Sequence, residues 1–431
     1  MRHRLRTLPI VLSLLLGLLA AVPGASADPV PSHSLALPLV TRNMRVGPMY
    51  TVNQRFGVGL VGSYPAIPDF PGKLSDFDEV TTLGFGWYSD WSANVTPERP
   101  GGVAYVQLLK TRSWPPNWGA IDLAINANPG ATWIIGNEPD IASQDNKTPA
   151  EYAAVYHDAY THIKERDATA QIAIGGVVMP SPLRLLWLEQ ALAAYQAQYQ
   201  AKMPVDVWNI HAQILPEGLS FFGCFLPVGL STLTLQEQYD LAMNHGCEDD
   251  PPNYYYAFNA DATIFEQLVR AMRAWMAEHG ERDKPLIISE YGVLYPSTYL
   301  ANHLQEGQQE AGDQMVIAFM QQTFDLMLTA TDRDTGCPSD ENRLVQRWLW
   351  FSLNDPLDEF NGSLYDCECE PPQLTIFGEA YRNYVAAASA GSLSSLPRVH
   401  VAAPAEPVER APLPPHGLPD LTKRPPYYGQ P

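Results

Sequence analysis

The amino-acid sequence predicts an α/β protein, a (β/α)8 TIM barrel that forms one domain with loop insertions. The first observation is a set of eight short, mostly apolar runs between residues 50 and 391, several of them separated by stretches with helical periodicity. Such runs are typical of parallel strands that helices cover. The second observation is length, because about 340 residues suit a single barrel whose loops carry insertions. The third is that the fourth and seventh runs lead into a glutamate, where a barrel presents side chains to its open face.

The predicted strands follow one another along the whole domain. The first two are short and contain glycine, and most of the others are rich in Val, Ile, Leu or Trp. They span 55–60, 84–88, 103–108, 132–135, 171–175, 205–211, 286–289 and 348–352. Because helices alternate with several of them, we expect the strands to run parallel.

Helical patterns occupy several of the gaps between these strands. The clearest start is Thr148-Pro149-Ala-Glu151, which supplies an N-cap residue, a proline at the first helical position and a glutamate at the third. The predicted helices span 148–164, 182–200, 260–279 and 309–331.

Two connections depart from a regular barrel. The stretch 92–102 is short and contains Pro97 and Pro100, which predicts an irregular link between the second and third strands. The stretch 214–259 is a long insertion with two cysteines, a Pro-Pro pair and three consecutive tyrosines. Long loops on the open face often shape a binding cleft.

Two short strings carry the candidate chemistry. Residues 133–140 read Trp-Ile-Ile-Gly-Asn-Glu-Pro-Asp and place Glu138 at a strand end, and residues 285–292 read Pro-Leu-Ile-Ile-Ser-Glu-Tyr-Gly and do the same for Glu290. A carboxyl group at the end of a buried strand points into the cleft above the sheet. One such group can donate a proton to a departing sugar oxygen while the other, kept ionised, attacks the anomeric carbon. The pair therefore indicates glycosidic bond cleavage.

These strings also carry a family resemblance. Asn-Glu-Pro after one strand, with a second strand-end glutamate about 150 residues later, resembles the retaining glycoside hydrolases of clan A, which are (β/α)8 barrels. The resemblance implies that Glu138, after the fourth strand, is the acid/base and that Glu290, after the seventh, is the nucleophile. It also implies that Asn137 contacts the sugar 2-hydroxyl. The retaining mechanism requires carboxyl groups roughly 5 to 5.5 Å apart, whereas roughly 9 Å favours inversion.

Further side chains are candidates for binding substrate. His211 ends the sixth strand, shares a face with Asn209 by period-two alternation, and resembles the His or Tyr that contacts the nucleophile or sugar in this clan. A histidine satisfied within the barrel is the alternative. Tyr291 follows Glu290 and is expected to bound the same pocket. Trp350 resembles the clan's strand-eight tryptophan beneath the cleaved sugar, where an indole face matches a pyranose, although Trp348 shares its face.

Four more tryptophans lie near the ends of the second and third strands and are candidates either for outer subsites or for packing. They are Trp87, Trp91, Trp114 and Trp118.

The chain has predicted segments outside the barrel. Residues 1–27 read as a signal peptide, with a basic start, an apolar run from Leu8 to Val22 and an Ala25-Ser-Ala27 cleavage site, so we expect a secreted protein. An uncleaved anchor is the alternative. Residues 28–49 are predicted as a flexible lead-in, 50–391 as the glycoside hydrolase domain, and 392–431, with ten prolines, as a disordered tail. The mature chain has no run long enough to span a membrane.

The net charge of the chain limits the kinds of molecule that it is expected to bind. The formal net charge is −20, and removal of the signal peptide, with three Arg and no acid, leaves 24 basic residues against 47 acidic ones, or −23. Such a chain repels phosphate backbones and anionic membranes. A neutral polysaccharide or oligosaccharide is the expected substrate, nucleic acid is not expected, and no cofactor or metal is implied.

Five cysteines in an exported chain favour one or two disulfides. Cys224 with Cys247, and Cys337 with Cys367 or Cys369, are the candidate pairs, although spacing alone does not fix connectivity. A metal site at Cys367-Glu-Cys369 is a weaker alternative, because no further His or Cys pair stands at zinc-like spacing.

Two functions of different classes remain. The leading one is a retaining β-glycosidase acting on a β-glucan-like polysaccharide, because Asn-Glu-Pro-Asp is reminiscent of clan members that act on β-1,3-glucans. Mannan, xylan and β-1,4-glucan enzymes share the same essentials. The other function is a non-catalytic carbohydrate-binding barrel, since fold does not dictate function. A metallohydrolase is disfavoured, because the sequence lacks a His-x-His or His-Glu-x-x-His string.

Overall fold

The computed structural model describes residues 48–63, 67, 69–218, 223–230, 232–243, 256–300, 309–355 and 360–399. The predicted signal peptide, nearly all of the lead-in and most of the proline-rich tail lie outside the described residues. The described residues fall within one compact unit, Arg45–Pro431. No helix among them is long and apolar enough to cross a membrane.

Each predicted strand segment contains a strand, and the third divides in two. The strands are β1 Phe56–Gly59, β2 Trp87–Ser89, β3 Ala104–Tyr105, β4 Gln107–Leu109, β5 Thr132–Asn137, β6 Gln171–Gly176, β7 Trp208–His211, β8 Leu286–Tyr291, β9 Arg347–Trp350, β10 Tyr365–Asp366 and β11 Gln373–Leu374. Because of the division, the fourth predicted strand is β5 and the seventh is β8.

The four predicted helices form within a few residues of their expected bounds, and others accompany them. The α-helices are α1 Val52–Arg55, α2 Trp118–Ala127, α3 Pro149–Arg166, α4 Pro182–Tyr199, α5 Leu235–Leu241, α6 Ala262–Glu278, α7 Ser297–Leu300, α8 Gln309–Thr329 and α9 Ile376–Ser389. Helix α3 begins as its sequence predicts, because the Thr148 side chain accepts from the Glu151 amide and Pro149 occupies the first turn. The stretch 92–102 is irregular apart from one short turn, Pro100–Gly102.

The fold is mixed α/β with a parallel central sheet. Strands pair in the order β3-β2-β1-β9-β8-β7 and, in a second sheet, β4-β5-β6. The ladders among these nine strands are parallel. Isolated parallel bridges at Ala173–Val207 and Val177–Ile210 link β6 to the β7 segment, and only Val106 separates β3 from β4. Parallel strands direct their carboxyl ends to one edge, where Glu138 and Glu290 both lie.

Strand alternation separates two apolar layers. One small cluster combines side chains from β2 through β9 that share one face of the sheets: Trp87, Val106, Leu108, Ile134, Ala173, Val207, Ile287 and Leu349. The other, larger cluster packs the opposite face against the helices, and it includes Tyr291, Trp348 and Trp350.

The expected tail begins later than its composition suggests. The Gln321 side chain of α8 donates to the Pro397 carbonyl and accepts from the Val399 amide, and Arg398 pairs with Asp325 at 2.7 Å. Residues 392–399 therefore pack against α8, and the side chains of Leu393, Leu396 and Val399 also pack against the hydrophobic core.

The prediction of a disulfide between Cys337 and Cys367 or Cys369 is wrong. Among the described residues, Cys224, Cys337, Cys367 and Cys369 are all free thiols. Cys337 is buried and lies 3.6 Å from the Asp283 carbonyl, whereas Cys369 is exposed and lies 3.3 Å from an Asp366 carboxylate oxygen. Cys247, the expected partner of Cys224, lies outside the described residues.

Candidate active site

Glu138 lies in a tightly held turn at the end of β5. Its backbone has a φ of 41°, in the left-handed region that non-glycine residues rarely adopt. Its amide donates to the Gly176 carbonyl of β6 at 3.1 Å. One oxygen of Asp145 accepts from the Asn137 amide at 2.9 Å and from the Thr111 hydroxyl at 2.8 Å. The surrounding hydrogen bonds hold the strained residue in place, and strain of this kind clusters at functional sites.

A buried ion-pair cluster supports this turn from behind. Arg184 of α4 pairs with Asp140 and, at 2.8 Å, with Glu217, and all three side chains are fully enclosed. The Val228 amide also donates to the Asp140 carbonyl at 2.9 Å. These contacts connect the turn that carries Glu138 to the insertion after β7.

Glu290 is held by two neutral donors. The Trp91 indole Nε1 donates to its Oε2 at 3.0 Å, and the Gln213 Nε2 donates to its Oε1 at 3.3 Å. The side chain of Glu290 is 14% exposed. Since an indole N–H and an amide NH2 can only donate, both Glu290 oxygens are set up as acceptors, as an ionised carboxylate requires.

His211 lies between the two carboxyl groups. Its Nδ1 is 3.0 Å from Glu138 Oε1 and 3.7 Å from Glu290 Oε2. The ring fits because β6 ends in glycine: a Cβ on Gly176 would stand 2.4 Å from His211 Cδ2. The structure therefore places His211 beside both carboxyl groups, and the ring is fully buried.

The spacing of the carboxyl groups is short. One oxygen of Glu138, one oxygen of Glu290 and a ring nitrogen of His211 lie within 4.8 Å of one another. Groups this close can act on opposite sides of one bond. The same three atoms could also ligate a divalent cation, which would compete with substrate for the carboxylates.

Burial and neighbouring charges shift the pKa values of Glu290 and His211. Burial is the main cause that raises the pKa of Glu290 to about 7; the Glu138 carboxylate adds to the rise, while His211, Trp91 and Gln213 act against it. Burial alone would lower the pKa of His211, but the carboxylates of Glu290 and Glu138 outweigh it, and the His211 pKa is raised. The cluster therefore gains protons readily near neutral pH.

Asn137 directly precedes Glu138 at the end of β5 and is buried. Its Nδ2 makes a long contact of 3.4 Å with Gln144 Oε1. Its Oδ1 is buried and has no hydrogen-bond partner among the described residues. A buried acceptor without a partner costs free energy.

The structure places Tyr291 and Trp350 on the helix-facing side of the sheet rather than beside the carboxyl groups. Both side chains are fully buried on the helix-facing side of the sheet, with their rings 5.4 Å apart. The Tyr291 hydroxyl lies 3.3 Å from Thr323 Oγ1 of α8, and the Trp350 indole donates to the Gly362 carbonyl at 2.8 Å. Period-two alternation explains both placements, since Tyr291 follows the inward Glu290 and Trp350 follows the inward Leu349.

Gln213 and Phe351 were missed as site residues, and Trp91, a candidate for an outer subsite or for packing, instead donates to Glu290. Trp91 packs edge-on against Phe351 with ring centroids 5.5 Å apart, and Gly59 makes room for it, because a Cβ there would stand 2.6 Å from the indole. A period-two count from His211 leads to Gln213, and one from Leu349 leads to Phe351. Among the other rim tryptophans, Trp87 is buried inside the sheet, whereas Trp114 stacks edge-on with Trp118.

Comparisons with known proteins give structural likeness only. No protein-family model matches the chain, and no curated protein matches it. Among solved structures, it is similar to a GH128 (subgroup II) endo-β-1,3-glucanase from Pseudomonas viridiflava, with a TM-score of 0.45 and 18% identity over 81% of this chain and 99% of that one. It is also similar to a GH128 (subgroup I) endo-β-1,3-glucanase from Amycolatopsis mediterranei in complex with laminaripentaose, with a TM-score of 0.44 and 15% identity over 76% and 98% of the two chains. A GH128 (subgroup III) curdlan-specific exo-β-1,3-glucanase from Blastomyces gilchristii gives 0.43 and 16% over 76% and 97%.

Proposed function

We propose that this protein is a retaining glycoside hydrolase that cleaves a β-linked glucan by double displacement, on sheets that close into a (β/α)8 barrel. The observation that carries the proposal is the approach of Glu138 and Glu290 oxygens to within 4.8 Å. Retaining enzymes hold their two carboxyl groups roughly 5 to 5.5 Å apart, whereas inverting enzymes leave roughly 6.5 to 9.5 Å for a water molecule. The short separation favours retention.

The hydrogen bonds distinguish the two roles. Glu290 accepts from Trp91 and Gln213, two donors that favour its ionised form, so it is the nucleophile. Glu138 Oε1 faces the His211 Nδ1, an atom that can accept or donate according to tautomer. Glu138 can therefore exchange a proton without losing its partner, as a group that is alternately acid and base must.

The raised pKa of Glu290 fits a pair that shares a proton. Two carboxylates this close do not ionise independently, because each charge disfavours the other. The first proton bound by the pair neutralises one carboxyl group. Catalysis requires that proton on the acid when substrate is bound, and the two donors to Glu290 favour its ionised form there.

The reaction follows from these roles. Glu290 attacks the anomeric carbon and forms a glycosyl ester as the glycosidic C–O bond breaks, and Glu138 gives its proton to the departing oxygen. Glu138, now ionised, takes a proton from water. The resulting oxygen nucleophile attacks the anomeric carbon, breaks the ester bond and frees Glu290. The resemblance assigns Asn137 to the sugar 2-hydroxyl, and the absence of a hydrogen-bond partner for its Oδ1 among the described residues supports that role.

The substrate and compartment belong to the same proposal. A neutral glucan brings no charge to a chain whose formal net charge is −20, and Asn137-Glu138-Pro139-Asp140 resembles clan members that act on β-1,3-glucans. The apolar run and cleavage site at residues 1–27 support export, so we propose that the enzyme acts outside the cell.

A polymer panel tests the activity. The wild-type protein and Glu290→Ala are incubated with β-1,3-glucan, β-1,4-glucan, mannan and xylan, and released reducing ends are measured. Glu165→Gln, an exposed carboxyl on α3, is the matched control and keeps full activity. The proposal is supported if wild type and Glu165→Gln release reducing ends from one of the polymers and Glu290→Ala does not. No release from any polymer, with retention on a glycan affinity gel, would instead identify a non-catalytic carbohydrate-binding protein.

A further inference from the structure

Arg184 connects the turn that carries Glu138 to two other parts of the molecule. It is the third residue of α4, and its side chain is fully enclosed. The guanidinium pairs with Asp140, two residues after Glu138, and with Glu217 of the insertion after β7. Its Nη2 also donates to the Phe225 carbonyl of the insertion at 2.7 Å. One buried cation therefore joins α4, the turn after β5 and the insertion.

The insertion is bound to α4 by further hydrogen bonds. The hydroxyl of Ser181, the N-cap residue of α4, donates to Glu217 Oε1 at 2.8 Å. The Trp187 indole of α4 donates to the Val228 carbonyl at 2.9 Å. Arg184 therefore holds the turn after β5 against a framework that α4 and the insertion already share.

The turn after β5 needs such support because its backbone is strained. Glu138 has a φ of 41°, and a non-glycine residue stays in the left-handed region only where surrounding contacts hold it there. Pro139, whose ring fixes φ, stands between Glu138 and Asp140. The Asp140 Oδ1 has no hydrogen-bond partner among the described residues, so this side chain depends on its pair with Arg184. A shift of Asp140 would be passed on to Glu138.

Loss of the guanidinium would leave the Asp140 carboxyl group buried without its cation, which is strongly unfavourable. Burial raises the pKa of Asp140, and Arg184 acts against that rise. Without Arg184, Asp140 would either take up a proton or move toward water. Either change releases the turn after β5 from α4.

We propose that Arg184 is a positioning residue for proton transfer by Glu138, acting through Asp140 and the turn after β5. This role rests on the proposed hydrolase function, in which Glu138 protonates the departing oxygen. Attack by Glu290 should depend on Arg184 much less, because both donors to Glu290 lie outside the ion-pair cluster. Arg184 therefore serves one of the two carboxyl groups, a selectivity that a purely structural ion pair would not have.

Substrates that differ in their leaving group test this selectivity. The 2,4-dinitrophenyl glycoside of a short gluco-oligosaccharide, of the linkage that wild type cleaves, needs no proton on its leaving group, whereas the unmodified oligosaccharide does. In Arg184→Met, kcat/KM should fall about 10²-fold on the unmodified oligosaccharide and stay within about threefold of wild type on the dinitrophenyl glycoside. Arg184→Lys keeps a cation beside Asp140 and should recover part of the loss.

Arg273→Met is the matched control. Arg273 is also fully buried and donates to three backbone carbonyls, but these partners precede the amino ends of β8 and β9, away from the carboxyl pair. The control should lower Tm and leave the ratio of kcat/KM between the two substrates unchanged. Equal losses on the two substrates in Arg184→Met, or no loss on either, would overturn the role of Arg184.

Asp140→Asn keeps the test valid if Arg184→Met fails to fold. The amide retains the shape of the carboxyl group but removes the charge that pairs with Arg184, so the same selective loss is expected. Wild-type kcat/KM for this variant on the unmodified oligosaccharide would contradict the proposal. If wild type hydrolyses neither substrate, the hydrolase function itself fails. If wild type hydrolyses both and the variants lose activity equally on both, only the role of Arg184 fails.

Discussion

At the carboxyl end of the parallel strands, one oxygen of Glu138 and one of Glu290 lie within 4.8 Å of each other and of a His211 ring nitrogen. At the amino end, the guanidinium carbon of Arg347 lies 4.6 Å from the Trp87 ring centroid and 5.1 Å from the Tyr50 ring centroid. The carboxyl end compensates its charges with hydrogen bonds from neutral side chains. At the amino end, the Nε of Arg347 donates to the Gln54 carbonyl, and aromatic rings cover the cation. Buried charge is costly without partners, and the two ends supply those partners differently, through polar side chains at one end and through aromatic rings and a backbone carbonyl at the other.

The largest expected effect is loss of hydrolysis at the carboxyl end. Glu290→Gln removes the nucleophile and should lower kcat/KM by about 10⁴-fold or more, and Glu138→Gln should lower it by about 10² to 10⁴-fold, because the proton donor is lost. Both are measured as released reducing ends, with Glu165→Gln as control. If Glu138→Gln hydrolysed substrates with good and poor leaving groups alike at the wild-type kcat/KM, Glu138 would not be the acid.

Gly176→Ala should perturb the same site without changing any polar group. The new Cβ would overlap the His211 ring, 2.4 Å from Cδ2, and must displace it. A displacement of this size near the reacting groups costs about 10²-fold in kcat. Gly62→Ala is the matched control, because nothing lies within 4 Å of the Cβ built there. Equal kcat values for the two variants would mean that the position of His211 does not matter.

Folding stability should fall with rising pH because the pKa values of Glu290 and His211 are raised in the folded protein. The pKa of Glu290 is raised from 4.5 to about 7, so the unfolded chain loses this proton first. The free energy of unfolding therefore decreases by up to about 3 kcal/mol between pH 4.5 and 7 from this group. The raised pKa of His211 acts in the same direction, since its contribution is lost as pH rises through the folded pKa.

Urea unfolding of wild type and Glu290→Gln across pH 4.5 to 8 measures this effect. The variant should be relatively more stable at pH 8 than at pH 4.5, because it has no ionisable group at the buried position. Parallel pH curves for the two proteins would show that Glu290 titrates normally.

The smallest effect is expected from Trp91→Phe. The variant keeps an aromatic ring against Phe351 but removes the indole N–H that donates to Glu290 at 3.0 Å. Loss of a donor to the carboxylate raises the pKa of Glu290, so the acid limb of kcat/KM should move upward by about 1 pH unit. Trp114→Phe, which removes a surface contact with Asp158, should leave the pH profile in place.

From the sequence, the residues at the ends of strands could be located more accurately than the direction in which the side chains within a strand point. Glu138 and Glu290 could be located because a glutamate at the end of an apolar run is visible in one dimension, and Asn137 and His211 adjoin such ends. Whether Trp350 or Phe351 points inward depends on a single residue of register, and two alternating tryptophans in one strand offer no polar residue to fix it. Gln213 and Trp91 meet Glu290 across 77 and 199 residues of chain, so only the fold brings them together.

The same limit applies to the amino end. Arg347 opens a strand in the sequence, and nothing near it in the chain marks it as buried, because its aromatic neighbours Tyr50 and Trp87 are far away along the sequence. Short-range patterns such as the Thr148–Glu151 helix start were predictable, since capping is local. The free thiols were not, because spacing does not give distance between cysteines.

The stereochemistry of hydrolysis tests the central claim most directly. Proton NMR follows the anomeric signal of the first product released from a β-linked gluco-oligosaccharide by the wild-type protein. Double displacement by Glu290 and Glu138 predicts that the β-anomer forms first and that the α-anomer appears only as mutarotation proceeds. An α-anomer as the initial product would contradict the retaining mechanism.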